Sequence, residues 1–307
     1  SVLIAGAGAI GLTVAERMYR SDPACVSILA KGERLERYRG RGLRVNGARI
    51  DFRFGDEKPV DFIIIATKFH HLNSVIEDIR PYIKDDTLIL SLLNGISSED
   101  IIGRVYGHGR LPLAMIIGTD AFHGGEETRY VRPGVIHFGD AEGNNSAREE
   151  RIAEFFTRTG VPFELEKNMK RKLWYKFMIN VGINQTTAVL RLPYGAVQNN
   201  GNPGEVAEAR MIMEKAMREV IRVANAEGID LDEKDLTEWY GTLNPLSKDG
   251  YTSMCQDVLA KRKTEVEMFA LAVTELGKKH KIPVPVNEML YLQIRTIEQT
   301  YNRIKYE

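Results

Sequence analysis

Lys172, Lys176, Asn180 and Asn184 recur at every fourth position of a stretch that reads KLWYKFMINVGIN. On a helix this spacing stacks them as one polar stripe. Leu173, Trp174, Phe177, Met178, Ile179, Val181 and Ile183 fill nearly every other face, leaving little surface for water. The stripe must therefore find partners, because each unpaired buried polar group costs roughly 1–3 kcal/mol. Either it faces solvent or a neighbouring helix, or it lines a substrate cleft. In a cleft, a lysine can protonate and stabilise a developing alkoxide, while asparagine side chains bind carboxylate or carbonyl oxygens. Desolvation would move the lysine pKa down toward the working range.

A second constellation begins at Ser253-Met254-Cys255-Gln256-Asp257 and continues to Lys261 and Glu265. The spacing predicts one long helix from about 253 to 280, with Asp257, Lys261 and Glu265 on one face. Ser253, near its start, could cap the helix or bind a substrate carboxylate. The competing reading is an exposed i,i+4 ion-pair ladder, worth a few tenths of a kcal/mol. Met254, Val258, Val266 and Phe269 argue that part of this segment is buried.

The third constellation opens the chain. Gly6-Ala7-Gly8-Ala9-Ile10-Gly11 directly follows an apolar strand (VLIA) and leads into a helix-like run. In that setting Gly6 permits a tight turn, Gly8 lets backbone approach a pyrophosphate, and Gly11 allows close helix–strand packing. The helix N-terminus then offers N–H groups to phosphate. At the end of the second strand, Ala30-Lys31-Gly32 stands where an NAD enzyme usually carries an acidic residue. Lys31, with Arg34, suits the extra phosphate of NADP, and Glu33 and Glu36 keep NAD open. Lys68 and Asn94 fall just past the ends of successive strands, along the edge where such sheets bind ligands.

The elements that must position these residues follow a simple order. Strands at 2–5, 25–30, 61–67 and 87–93 alternate with helices near 9–20, 32–39 and 69–82, with short strand pieces around 42–54. Ser97 or Ser98 could cap the next helix. This alternation predicts an open parallel sheet with helices on both faces. Residues 111–139 read as strands that extend the sheet in antiparallel fashion, with a turn at Pro133-Gly134. A helix at 146–158 and a strand at 161–165 close this half. Beyond it strand signals nearly vanish, and helices are expected at 204–227, at 232–242 and from Pro285 to about 305. The expected fold class is a Rossmann-like α/β dinucleotide-binding domain, residues 1–166, followed by an all-α domain, residues 167–307.

The totals exclude several classes of partner. Lys plus Arg equals Asp plus Glu at 42 each, so bulk charge favours neither nucleic acid nor anionic membrane. The longest apolar runs have strand length, well short of the roughly 20 residues that span a bilayer. The chain starts almost at once with a strand, so an initiator Met is expected to have been removed. Cys25 and Cys255 have no CxxC companion, which suits a reduced, cytoplasmic protein. Six histidines, including the pair His70-His71, show no metal-ligand spacing.

Taken together, GAGAIG, ATK at 66–68, NG at 94–95, KLWYKFMINVGIN, and TSMCQD followed by Glu265 resemble the ketopantoate reductase (2-dehydropantoate 2-reductase) family. The similarity keeps this order across nearly the whole chain and includes the stretch 195–231. It implies reduction of 2-dehydropantoate by NADPH to D-pantoate, on the way to pantothenate and coenzyme A. It further implies Lys176 as proton donor and Glu265 as an acidic active-site residue. Asn180, Asn184 and Ser253 would be substrate contacts, and Lys31, Lys68 and Asn94 cofactor contacts. Three places depart from the family pattern: Pro193-Tyr194-Gly195, Lys248-Asp249-Gly250, and Ala270-Leu271 where an Asn-Gly pair is common. These departures keep open a related D-2-hydroxy acid dehydrogenase acting on another branched or aromatic 2-oxo acid, with NADP or NAD. A non-catalytic dinucleotide sensor is the reading from another class. The helical domain could pair with a copy of itself, although no interface pattern is readable.

Overall fold

A computed structural model describes residues 1–301. The chain divides into two compact units, Ser1–Lys170 and Arg171–Glu307.

The first unit contains β1 (Val2–Ala5), α1 (Ala9–Ser21), β2 (Val26–Ile28), α2 (Gly32–Arg41), β3 (Leu43–Val45), β4 (Ala48–Ile50), β5 (Arg53–Phe54), β6 (Phe62–Ile65), α3 (Leu72–Asp78), β7 (Leu88–Ser91), α4 (Ser98–Tyr106), β8 (Leu113–Thr119), β9 (Phe122–Gly124), β10 (Glu127–Arg129), β11 (Pro133–Gly139), α5 (Ala147–Thr159) and β12 (Phe163–Leu165). Five strands form a parallel sheet in the order β5-β2-β1-β6-β7. Strands β1, β6 and β7 are buried throughout, as continuous apolar runs in a parallel sheet must be. The chain leaves β1 toward β2 and β5, then returns to add β6 and β7 on the other side. The gap between β1 and β6 is therefore the topological switch point.

Four expectations for this unit need correction. The strands after residue 111 do not extend the parallel sheet by hydrogen bonds. β11 pairs antiparallel with β8 and parallel with β12, so both its edges are used within a separate three-stranded sheet. Between β8 and β11 the chain makes an excursion closed by Asp120, whose Oδ1 accepts Val131 N–H and Arg132 N–H at 2.9 Å each. The excursion carries the β9–β10 hairpin, and β10 pairs with β3 in a four-stranded sheet. Pro133-Gly134 consequently lies within β11 and not in a turn. A Cβ at Gly134 (φ +83°) would lie 2.9 Å from Ile117 O, so the close approach needs glycine there. The helix expected at 69–82 is broken as well. A 3-10 turn at Phe69–His71, α3 and a second 3-10 turn at Arg80–Tyr82 replace it, and Pro81 denies the helix an N–H. Ser97 stands at the N-cap of α4 without a side-chain bond, and the Ser98 hydroxyl meets Ser91 Oγ at 2.8 Å instead.

The second unit contains α6 (Met169–Leu190), α7 (Ala207–Ala226), α8 (Glu233–Leu243), α9 (Ser253–Leu259), α10 (Ala270–His280) and α11 (Pro285–Thr300). Among the described residues it has no strand. The last helix was expected to reach about 305, and residues 302–305 lie outside the described part. In α6, Val181 to Ala188 are buried without interruption. Gly182 costs α6 some intrinsic helix stability, and packing explains its presence. A Cβ there would stand 2.5 Å from Met217 Cγ and 3.0 Å from Met213 O of α7.

The long helix expected from 253 to 280 is three pieces: α9, a 3-10 turn at Val266–Met268, and α10. Lys261 takes a left-handed conformation (φ +53°), and Arg262 N–H returns to Asp257 O at 2.8 Å. The Arg262 guanidinium then pairs with the buried Asp257 at 2.9 Å. Glu298 of α11 holds Thr264 through its N–H (2.7 Å) and hydroxyl (2.6 Å). These bonds replace the helical ones, so Asp257, Lys261 and Glu265 do not share a helical face.

Candidate active site

In the first unit the glycine-rich turn lies at the carboxyl end of β1, at the switch point. A Cβ on Gly6 (φ +126°) would stand 2.4 Å from Ala66 O, just past β6. A Cβ on Gly11 would stand 1.8 Å from Gly6 O, so the turn closes only with glycine at both positions. Gly8 differs, since a Cβ there would meet nothing within 4 Å. It is the N-cap of α1, with no side-chain cap and no acidic residue in the first turn. Open space before exposed helix N–H groups suits a pyrophosphate. Gly11→Ala is expected to weaken cofactor binding at least about 10-fold and to destabilise this unit by about 1–3 kcal/mol. Cofactor fluorescence titration and thermal unfolding measure both, and wild-type values would remove the close-packed turn from the explanation.

The other cofactor candidates gather at the same sheet edge. Lys68 follows β6 as the N-cap of a 3-10 turn, and Asn94 follows β7 before Gly95 (φ +88°). Lys31 follows β2 as the N-cap of α2, and its ammonium pairs with Asp78 at 3.2 Å and Glu57 at 4.0 Å. All three members of this group are partly exposed side chains, so the pairs are worth little in stability and leave Lys31 available to a phosphate.

In the second unit the asparagine end of the α6 polar stripe is a connected structure. Lys176 and Asn180 are half-buried and Asn184 is buried. Asn184 Nδ2 donates to Asn180 Oδ1 at 3.2 Å. Asn184 Oδ1 accepts from the Ser253 hydroxyl at 3.2 Å and from Met254 N–H at 3.3 Å. Ser253 is not the cap of α9. Thr252 takes that role by accepting Cys255 N–H at 3.2 Å, which leaves the exposed Ser253 side chain for other work. Thr252 is itself tied to Thr187 of α6, with their hydroxyls 2.8 Å apart.

Glu265 lies off the helix, buried, at the N-cap of the following 3-10 turn. Phe269 beyond that turn packs with Phe177 of α6, their ring centroids 6.5 Å apart. The segment holding Glu265 thus runs beside the part of α6 that holds Lys176. Sequence spacing brought Lys176, Asn180 and Asn184 together, and folding adds Ser253. It removes Glu265 from the ladder in which spacing had put it.

One group of chemistry-bearing residues had no readable spacing. His137 Nδ1 lies 2.7 Å from Glu166 and 3.3 Å from Glu164, across the β11–β12 pair. Only the register of two strands distant in sequence brings these three together.

A parallel sheet with a glycine-rich turn at its switch point, followed by a helical unit, is the architecture of a dinucleotide-binding protein. The family described as Ketopantoate reductase PanE/ApbA matches residues 2–143, and its C-terminal part matches residues 168–298. The chain belongs to the ketopantoate reductase family. The 2-dehydropantoate 2-reductase of Halobacterium salinarum is 27% identical over 315 residues, covering 97% of this chain and 99% of the relative. That of Lactococcus lactis is 24% identical over 311 residues, covering 97% and 98%. Among solved structures, a D-mandelate dehydrogenase with NADH and anilino(oxo)acetate superposes with a TM-score of 0.88 at 23% identity, covering 98% and 99% of the two chains. A dimeric ketopantoate reductase from Staphylococcus aureus gives 0.82 at 22% identity, covering 97% and 99%. No helix among the described residues is long and apolar enough to cross a membrane.

Proposed function

We propose that this chain reduces a 2-oxo acid to a D-2-hydroxy acid with NADPH, 2-dehydropantoate to D-pantoate in the first instance. The observation that carries the reading is the bonded row of Asn180, Asn184 and Ser253, with Lys176 one helical turn before Asn180. A reduced nicotinamide supplies hydride to the ketone carbon. The carbonyl electron pair then moves to oxygen, and the Lys176 ammonium gives that oxygen its proton. Asn180, Asn184 and Ser253 orient the carboxylate and carbonyl groups: the bonds among them fix the amide planes, each amide keeps an N–H for a substrate oxygen, and the Ser253 hydroxyl turns from Asn184 to the substrate. Glu265, buried near the lysine-bearing part of α6, is proposed to bind a substrate hydroxyl or to orient Lys176.

Steady-state assays following NADPH oxidation with 2-dehydropantoate and with a panel of branched and aryl 2-oxo acids test the reading. Binding of cofactor without turnover of any acid would establish the sensor instead. A second substrate class, bulky or aromatic 2-oxo acids, is favoured by the contact of Tyr194 with Gly250 described below. For the cofactor, Lys31→Ala is expected to lower kcat/KM with NADPH about 10-fold, the worth of one charge-assisted hydrogen bond, while NADH changes little. An equal change with both cofactors would take the 2′-phosphate role from Lys31. The two buried, free cysteines are in keeping with a cytoplasmic location. Self-association through the helical unit is proposed too, and light scattering on the eluting protein reads it out.

A further inference from the structure

The two departures at 193–195 and 248–250 meet in space. Tyr194 N–H donates to Gly250 O at 2.8 Å, and Gly195 N–H donates to Lys248 O at 2.9 Å. A further tie runs from the Cys255 thiol to Leu192 O at 3.9 Å. Ser253 lies between these two anchor points, so the 192–195 segment flanks the stretch that carries it. A Cβ at Gly250 would stand 3.0 Å from Tyr194 Cδ2 and 3.2 Å from Cε2. The ring thus takes the space that a side chain at 250 would occupy, three residues before Ser253. The ring is half-buried, and burial raises the phenol pKa. Among the described residues no protein group bonds its hydroxyl.

We propose that Tyr194, seated on Gly250, forms an aromatic wall beside the Ser253–Asn184 pair and sets a preference for 2-oxo acids with a flat, aromatic substituent. This rests on the 2-oxo acid reductase reading and on its second substrate class, bulky or aromatic acids, which it sets against 2-dehydropantoate. A ring face offers area and edge-to-face or offset stacking, and few partners for hydroxyl-bearing substituents. Gly250 is the complement that lets the ring stay there.

The test compares phenylglyoxylate with 3-methyl-2-oxobutanoate and 2-dehydropantoate, using NADPH and NADH. Wild type is expected to favour phenylglyoxylate in kcat/KM. Tyr194→Ala is expected to raise KM for phenylglyoxylate about 10-fold or more, with kcat and the aliphatic acids nearly unchanged. Tyr194→Phe keeps the wild-type preference, since the wall is the ring and not the hydroxyl. Gly250→Ala, which pushes the ring without removing it, shifts the preference in the same direction as Tyr194→Ala and serves if the latter fails to fold. Equal losses for aryl and aliphatic acids, or an unchanged ratio in both variants, overturn the proposal. Turnover of any 2-oxo acid by wild type decides the underlying reading, whereas the aryl-to-aliphatic ratio decides the wall.

Discussion

Lys176→Ala is expected to lower kcat by about 10²–10⁴, the usual contribution of a positioned proton donor. That loss corresponds to roughly 3–5 kcal/mol of transition-state stabilisation. Cofactor affinity should stay near wild type, because the glycine-rich turn and Lys31 belong to the other unit. Lys176 stands one turn before Asn180, whose amide is tied through Asn184 to Ser253. Removing the ammonium therefore leaves a binding surface without a proton source. A small primary amine added to Lys176→Ala should restore part of the rate, which a merely structural lysine would not allow. Full activity in the alanine variant would show that the proton comes from elsewhere.

Glu219→Ala is expected to destabilise the helical unit by about 3 kcal/mol, and Glu219→Gln by less. Glu219 is 3% exposed in α7, and its carboxylate accepts three hydrogen bonds at the start of α11. These come from Val286 N–H (2.9 Å), Asn287 N–H (2.9 Å) and Asn287 Nδ2 (2.8 Å). The N-cap residue of α11 is Val284, which has no side-chain oxygen, so the cap comes from a different helix. An anion at a helix N-terminus is also favoured by the helix dipole. Alanine would leave the buried Asn287 N–H and the partly buried Val286 N–H without an acceptor, while Asn287 Nδ2 keeps Ala216 O at 3.2 Å. Asn287 further accepts from Gln185 Nε2 at 3.1 Å, which couples this cap to α6 beside Asn184. Urea unfolding followed by near-ultraviolet circular dichroism gives the stability change, and hydrogen exchange at Val286 and Asn287 localises it. A shift below about 1 kcal/mol would mean that water replaces the carboxylate.

The legible part of the site is the part built by local periodicity. Lys176, Asn180 and Asn184 share a face because a helix repeats every 3.6 residues, and α6 is a single helix. The glycine positions were legible for a similar reason, since a turn at a strand end has few backbone solutions. Glu265 was misplaced because the same periodicity was extended through Lys261-Arg262-Lys263, where no Pro or Gly marks a break. Glu298, more than thirty residues away, interrupts that helix by holding Thr264.

The sequence by itself determined the order of strands and helices, the dinucleotide turn and the polar stripe of α6. Each of these is specified by hydrophobic period or by backbone geometry within a few residues. Only the tertiary structure decided which side chains meet across the chain. It tied Ser253 to Asn184, supplied the α11 cap from Glu219, broke the 253–280 segment, and laid the Tyr194 ring over Gly250. The physical reason is that a buried donor or acceptor must be satisfied by whatever group the packing brings near. Sequence distance carries no information about that choice.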